Sequence, residues 1–267
     1  MIIHNDYNLL DVPEVNDYIF HQRLDLKPVN LSNTIDFMIK IEDGIHINSK
    51  LHTKNINWPT ILFFHGNGEI VSEYDGIRFI YFENKINFWV VDYRGYGHSE
   101  GKPLCSKMIS DSNIIFEFAK NWLIQNKYKG PLLIMGRSLG SASALEIAYR
   151  YDNQLDGIII ESGFAYTLPL LKLMGAKIND LSEENGFKNI EKIKAIKKPV
   201  LIIHAENDNI IPLNDAQTLF NACQSSWKKL VIIPKTTHNN ILTYGLNSYF
   251  KAIRDFSQMT KLKLLKD

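Results

Sequence analysis

Leu132-Leu133-Ile134-Met135-Gly136-Arg137-Ser138-Leu139-Gly140-Ser141-Ala142-Ser143-Ala144-Leu145 is the stretch on which the reading of the fold turns. Four apolar residues without alternation predict a strand covered on both faces of a parallel sheet. The small residues after Gly140 predict a helix. Between the two stands a Gly-x-Ser-x-Gly, which places Ser138 on a sharp strand-to-helix turn. Glycines on both sides remove the Cβ atoms that would clash in such a turn. The serine Oγ then projects above the sheet, beside a helix N-terminus whose unpaired N–H groups favour developing negative charge. The competing reading is a glycine-rich turn that only lets helix and sheet pack closely. The flanking strand and helix favour the nucleophile.

Working outward, similar apolar runs recur at residues 60–64, 88–91, 157–160, 200–203 and 230–233. Helical spacing is read at 76–83, 106–126, 139–151, 214–222 and 244–259. Strand and helix in alternation predict an α/β fold with a mostly parallel, doubly wound sheet. Residues 35–39 and 45–48 alternate more clearly around Asp43-Gly44 and predict an antiparallel hairpin at the N-terminal edge. The rhythm breaks at about 164–198, read as a short cap insertion within a single domain spanning 1–267.

Composition agrees with an ordinary globular chain: 267 residues, 45% hydrophobic, with Lys+Arg 30 against Asp+Glu 29 and a net charge of +1. That balance gives no electrostatic reason to expect nucleic acid or an anionic membrane as partner. No stretch approaches the ~20 apolar residues of a membrane span. No basic segment followed by an apolar one opens the chain, so cytoplasmic location is expected. Cys105 and Cys223 are too few for a disulfide framework and lie in no metal-ligand spacing, so free thiols are expected. The sequon Asn30-Leu31-Ser32 is read as plain loop, and the basic tail Lys261–Lys266 as a solvated helix end.

A serine hydroxyl needs a base, and the base needs an acid to orient it. On such a sheet the order is Ser, acid, His, with the partners in loops beyond strand C-termini. His204-Ala205-Glu206-Asn207-Asp208 and Pro234-Lys235-Thr236-Thr237-His238 occupy those positions, so Asp208 and His238 are the expected partners. Glu206 and Glu161 compete for the acid's role. His4, His21, His46 and His52 read as surface or edge-strand residues, and His204 as a packed one. His98 stays open because its loop is near the site. His65-Gly66-Asn67-Gly68 closes the strand at 60–64, where a second oxyanion donor belongs. The expected pair of donors is the backbone N–H of Asn67 and of Leu139, with His65 a structural tie.

These segments, together with Asp92-Tyr93-Arg94-Gly95-Tyr96-Gly97-His98-Ser99 and Asp208-Asn209-Ile210-Ile211-Pro212, resemble the α/β-hydrolase superfamily. Within it they are most similar to the BEM46-like, serine-aminopeptidase-like hydrolases. The resemblance runs in order from about residue 60 to 238. It implies an α/β-hydrolase fold, with Ser138 as nucleophile, Asp208 as acid, His238 as base, and Asn67 and Leu139 as oxyanion donors. Substrate is left open, because the superfamily hosts many chemistries. Ser141 and the pair Glu69-Ile70 depart from the usual small residues and imply altered access to the oxyanion region. Glu161 is a further departure, with an open role.

Arg137 and Arg94 invite a reading as carboxylate or phosphate binders. For Arg137 a structural ion pair behind the nucleophile is preferred. Gly95-Tyr96-Gly97-His98-Ser99-Glu100-Gly101 misses the dinucleotide spacing, and no cofactor or metal is implied. The expected function is a serine hydrolase cleaving a small-molecule carboxylic ester or thioester through an acyl-enzyme. Apolar residues 168–174 suggest a lipophilic wall and acyl substrates. An aminopeptidase is the alternative, with Glu161, Glu69 or Glu183 to hold an ammonium group. A catalytically silent binding module is the other.

Overall fold

In the computed structural model, which describes residues 7–25, 31–178 and 181–264, each apolar run read above is a strand. The strands are β1 (Thr34–Glu42), β2 (Ile45–His52), β3 (Thr60–Phe64), β4 (Asn87–Val91), β5 (Leu132–Arg137), β6 (Gly157–Glu161), β7 (Val200–Ala205) and β8 (Lys228–Ile233). They form one sheet in the order β1-β2-β4-β3-β5-β6-β7-β8. The β1–β2 and β2–β4 pairings are antiparallel and all others parallel. His4, Asn30 of the sequon and residues 265–266 of the basic tail lie outside the described residues.

The unbroken apolar runs conceal a period of two. Leu62, Phe64, Ile134, Ile158 and Ile160 belong to one buried cluster, while Ile61, Phe63, Leu133, Met135 and Ile159 belong to the other. Successive side chains point to opposite faces, and both faces are covered, so every position is apolar. The larger cluster packs under α3 (Cys105–Gln125), α4 (Gly140–Arg150), α6 (Asn189–Ala195) and α7 (Leu213–Ala222). The other lies under α2 (Arg78–Glu83) and α8 (Ile241–Leu264). Tyr81 stacks on Phe88 at 3.9 Å between ring centroids, fastening α2 to β4.

The register matters for the site. Phe64 pairs with Gly136 and Arg137 with Glu161, so the loops after β3, β5 and β6 leave the sheet side by side. Three expectations need correction. The β8 run is an edge strand in which only Ile233 is buried, because it has a neighbour on one side alone. The helix at 76–83 is split into a 3-10 turn, Val71–Ile77, and α2, with Gly76 and Asp75 in the tighter part. The N-terminal region also has unanticipated elements, a 3-10 turn at Tyr7–Leu10 and α1 (Pro13–Ile19). Pro13 at the first helical position, with Val15 and Ile19 buried one turn apart, explains that helix.

Within 164–198 the chain forms α5 (Thr167–Leu173), a 3-10 turn at Glu183–Asn185, and α6. Glu183 accepts hydrogen bonds from the N–H groups of Thr167 and Leu168 and so holds the start of α5. No helix among the described residues is long and apolar enough to cross a membrane.

Candidate active site

Ser138 has φ of +52°, the left-handed region that a non-glycine residue adopts only when its surroundings enforce it. The enforcement is visible. Its N–H donates to the Glu161 carbonyl at 2.9 Å, and its own carbonyl accepts from the Ser141 hydroxyl at 2.6 Å. A Cβ on Gly136 would lie 2.3 Å from the Gly140 carbonyl oxygen, and one on Gly140 would lie 2.1 Å from that of Phe64. Both glycines are therefore required by the close approach of α4 to β3 and β5. Ser141 is wholly buried and spent on the turn, so it does not alter access as its departure had implied.

In the loop after β8, His238 Nδ1 is 2.8 Å from Asp208 Oδ2. Asp208 Oδ1 accepts from the N–H groups of Ile210 and Ile211 at 3.0 and 2.8 Å. Burial would raise the Asp208 pKa, but His238 and the two N–H donors hold it below the ordinary carboxylate value. It is a fixed anion, as an orienting acid must be. The competitors are committed elsewhere. Glu206 accepts from Lys235 N–H, and Glu161 bonds Arg137 and the Tyr249 hydroxyl. His204 Nε2 lies 2.9 Å from the Ile211 carbonyl, and burial depresses its pKa, so it is a neutral packed histidine. His98 pairs loosely with Asp25 at 3.8 Å and does not line the cavity.

The loop after β3 is built around a second His–Asp pair. His65 Nε2 is 3.1 Å from Asp92 Oδ1, and its Nδ1 is 2.8 Å from the Gly66 carbonyl. Asp92 also accepts from Val71 N–H and the Asn48 amide. A Cβ on Gly97 would fall 2.1 Å from its Oδ2, which explains the second glycine of Gly95-Tyr96-Gly97. Tyr93 donates its hydroxyl to the His65 carbonyl at 2.6 Å. Burial lowers the His65 pKa, yet Asp92, Glu69 and the Gly66 carbonyl together raise it above the ordinary value. With acceptors at both ring nitrogens, the protonated form of His65 is favoured and the ring is committed to structure.

Arg137 joins the loops. It is 8% exposed and reaches Glu69 from the β3 loop, Glu161 at the end of β6, and the His238 carbonyl at 2.7 Å. Burial opposes its charge, but Glu69 and Glu161 raise its pKa. Glu69 turns inward to Arg137, Gly66 N–H and the Tyr74 hydroxyl rather than altering access as a free charge. Arg94 is likewise saturated, bidentate to Asp111 and bonded to Glu42. Neither arginine is free to recognise a substrate anion.

Ser138, His238, Asn67 and Leu139 line one cavity of about 410 Å³, with Asp208 behind His238. No hydrogen bond joins Ser138 Oγ to His238 Nε2 among the described residues. Such contacts are often loose without substrate. The backbone N–H groups of Asn67 and Leu139 donate to no acceptor among the described residues. Leu170 and Met174 from the 164–198 segment and Ile210 form an apolar wall. Ile19 and His21 also line the cavity; His21 is exposed, as a surface histidine is expected to be, but its place at the cavity is not legible in the sequence. The helix-start signal at Pro13 was the available clue, but nothing local to it indicates where the segment docks.

Residues 58–184 match the family described as "Serine aminopeptidase, S33". The chain is 31% identical over 203 residues to protein bem46 of Schizosaccharomyces pombe, covering 74% of this chain and 67% of that protein. It is 30% identical over 208 residues to alpha/beta hydrolase domain-containing protein 17B of Homo sapiens, covering 74% of this chain and 65% of that protein. The match thus spans about two thirds of the length of either relative. Among solved structures, an esterase of Pyrococcus furiosus superposes with a TM-score of 0.70 at 15% identity, covering 91% of this chain and 99% of that one.

Proposed function

Because the chain belongs to the BEM46-like group of the α/β-hydrolase superfamily, we propose that it is a serine hydrolase cleaving a carboxylic ester or thioester through an acyl-enzyme. The observation that carries the reading is the left-handed Ser138 sharing a cavity with a histidine whose other nitrogen is held by a buried carboxylate. Asp208 fixes the His238 tautomer with the proton on Nδ1, which leaves Nε2 as the base. Nε2 takes the Ser138 proton as Oγ attacks the carbonyl carbon. The oxyanion formed is received by the N–H groups of Asn67 and Leu139. The tetrahedral species expels the alcohol or thiol, which takes the proton from His238. Water then repeats the sequence on the acyl-serine and releases the acid.

An acyl group rather than a peptide is favoured by the wall of Ile19, Leu170, Met174 and Ile210. Beyond Leu170 lies a second apolar cleft of about 210 Å³, lined by Phe164, Pro169, Leu173, Ile211 and Pro212. An aminopeptidase needs a carboxylate for the substrate ammonium. The three acids nominated for it are engaged: Glu69 and Glu161 with Arg137, and Glu183 with the start of α5. The buried, unpaired thiols Cys105 and Cys223 fit work in a reducing compartment such as the cytoplasm. A fluorophosphonate probe, with a chain-length series of nitrophenyl esters, tests the proposal. Labelling and turnover are expected in the wild-type protein and neither in Ser138→Ala. Absence of labelling in folded wild type would favour the silent binding module, and maximal turnover on acetate would remove the acyl preference.

A further inference from the structure

We infer that the N-terminal segment from Ile19 to Asp25 is a clamp on the oxyanion loop, and that His21 is a positioning residue acting through Asn67. This rests on the assignment of Asn67 N–H as an oxyanion donor. The loop Gly66-Asn67-Gly68 is tied at Gly66, whose N–H donates to Glu69 at 2.6 Å and whose carbonyl faces His65 Nδ1 at 2.8 Å and the Glu69 N–H at 3.3 Å. Beyond it Gly68 sits at φ +75° and offers Asn67 no side-chain anchorage. The anchors of Asn67 itself come from outside. Asn67 Oδ1 accepts from the backbone N–H of His21 at 2.8 Å and from the Tyr96 hydroxyl at 2.9 Å. Those two donors fix which end of the amide is oxygen, so Nδ2 faces His21 Nδ1, at 2.8 Å, and donates to it. The Asn67 side chain is thereby held by three contacts, two of them from one residue 46 positions away.

The next residues continue the grip. Arg23 Nη1 donates to the Gly68 carbonyl at 2.8 Å and pairs with Glu73. The segment is itself held against Gly97: Gly97 N–H donates to the Arg23 carbonyl at 2.8 Å, and Asp25 N–H to the Gly97 carbonyl at 3.2 Å. Ile19, at the other end, lines the cavity and is 3% exposed. Contacts to His21 and Arg23 face solvent, so each contributes little to folding on its own. Their consequence is geometric. They hold the Asn67 side chain and the Gly68 carbonyl that follows it, while His65 Nδ1 and the Glu69 N–H hold the Gly66 carbonyl of the peptide that carries the Asn67 N–H, and oxyanion stabilisation depends on that donor being in place before charge develops. The family match starts at residue 58, so the clamp is supplied by sequence outside the matched region.

The test is a double-mutant cycle of His21→Ala and Asn67→Ala, which leaves every backbone N–H in place, read with nitrophenyl butyrate and with phenylboronic acid as tetrahedral-adduct inhibitor. Each single variant is expected to lower kcat about tenfold, short of the ~10²-fold that a full 1 Å misplacement costs, with KM within about twofold. Phenylboronic acid is expected to weaken by a similar factor. The double variant should be no worse than Asn67→Ala, which already removes the one contact that His21→Ala loses. His21→Asn, which puts an amide oxygen near the position of Nδ1, should recover most of the lost kcat. The inference is overturned if His21→Ala raises only KM, if the two losses multiply, or if His21→Asn is no better than His21→Ala. Should Ser138→Ala retain turnover, the hydrolase mechanism itself fails; a Ser138-dependent enzyme indifferent to His21→Ala discards only the clamp.

Discussion

Two buried histidines each face a buried aspartate at the C-terminal end of this sheet, and the structure gives them opposite characters. His65 and Asp92 lie beside β3, and His238 and Asp208 beside β8. Both imidazoles are almost fully buried, at 0% and 3% exposed. The difference is at the second nitrogen. In His65 it meets the Gly66 carbonyl, so both positions favour a proton and neither nitrogen is left to act as a base. In His238 it makes no hydrogen bond among the described residues, on a ring that lines the same cavity as Ser138. A carboxylate beside a histidine is thus not enough to make a base. On the proposed mechanism, what faces the remaining nitrogen decides between a tie and a base.

The largest effects should separate the two pairs. His238→Ala is expected to lower kcat by up to about 10⁶-fold while leaving the melting temperature nearly unchanged. His65→Gln should do the reverse. It removes the imidazole from a buried Asp92 that keeps only the Val71 N–H and the Asn48 amide as donors, which costs about 3 kcal/mol of stability, the lower end for breaking a buried pair. Turnover of the folded fraction should fall far less. Urea unfolding and ester hydrolysis on the same preparations check both halves. Equal loss of kcat in the two variants would remove the distinction between them. Asp208→Asn is the next step down. The amide favours the wrong tautomer of His238, and kcat should drop on the order of 10⁴-fold. If Glu206 or Glu161 were the orienting acid instead, Asp208→Asn would be mild and one of their amide variants severe.

A similar contrast divides the cavity, whose polar floor belongs to strand-end loops and whose apolar wall comes from Ile19 of α1 and from Leu170 and Met174 in the 164–198 segment, joined by Ile210 of the loop after β7. Leu170 lines both the main cavity and the cleft beyond it. Leu170→Ala should open the partition and raise kcat/KM for long acyl chains over short ones by about tenfold. Leu170→Phe should shift the preference toward short chains. Since Leu170 is only partly buried, neither change should cost much stability. An unchanged chain-length profile in both variants would mean that the second cleft does not receive substrate.

These contrasts explain what could be read from the sequence. The central strands were visible because both of their faces are covered, which writes an unbroken apolar run such as Ile158-Ile159-Ile160 into the chain. Ser138, Asp208 and His238 stood out because strand C-termini converge in a parallel sheet, so position along the chain implies position at the site. The roles of His65 and Arg137 were anticipated as structural, but the charge of His65 depends on Asp92, 27 residues later, and no local pattern reports it. The exposed side of β8 was hidden because edge position is a property of sheet order, not of Leu230-Val231-Ile232-Ile233 itself. The tie from His21 to the loop after β3 was hidden for the same reason. Its partner Asn67 is 46 residues away and reaches His21 only after α1 docks.

The smallest effect expected from the two pairs is a difference in how they tie stability to pH. The folded pKa of His65 is raised, so its pair contributes fully below the unfolded histidine value of about 6.5 and loses that contribution as pH rises through the folded value. Asp208 runs the other way. Its folded pKa is depressed, so its contribution is present above the unfolded value of about 3.9 and is lost as pH falls through the folded one. Only the His65 pair should therefore weaken on the alkaline side. Urea unfolding of wild type and His65→Gln at pH 6 and pH 9 isolates it, because other groups titrate alike in both proteins. The stability gap between the two should be wider at pH 6. A gap that stays constant or widens at pH 9 would mean that His65 is neutral in the folded protein, and the two histidines would then differ only in their access to the cavity.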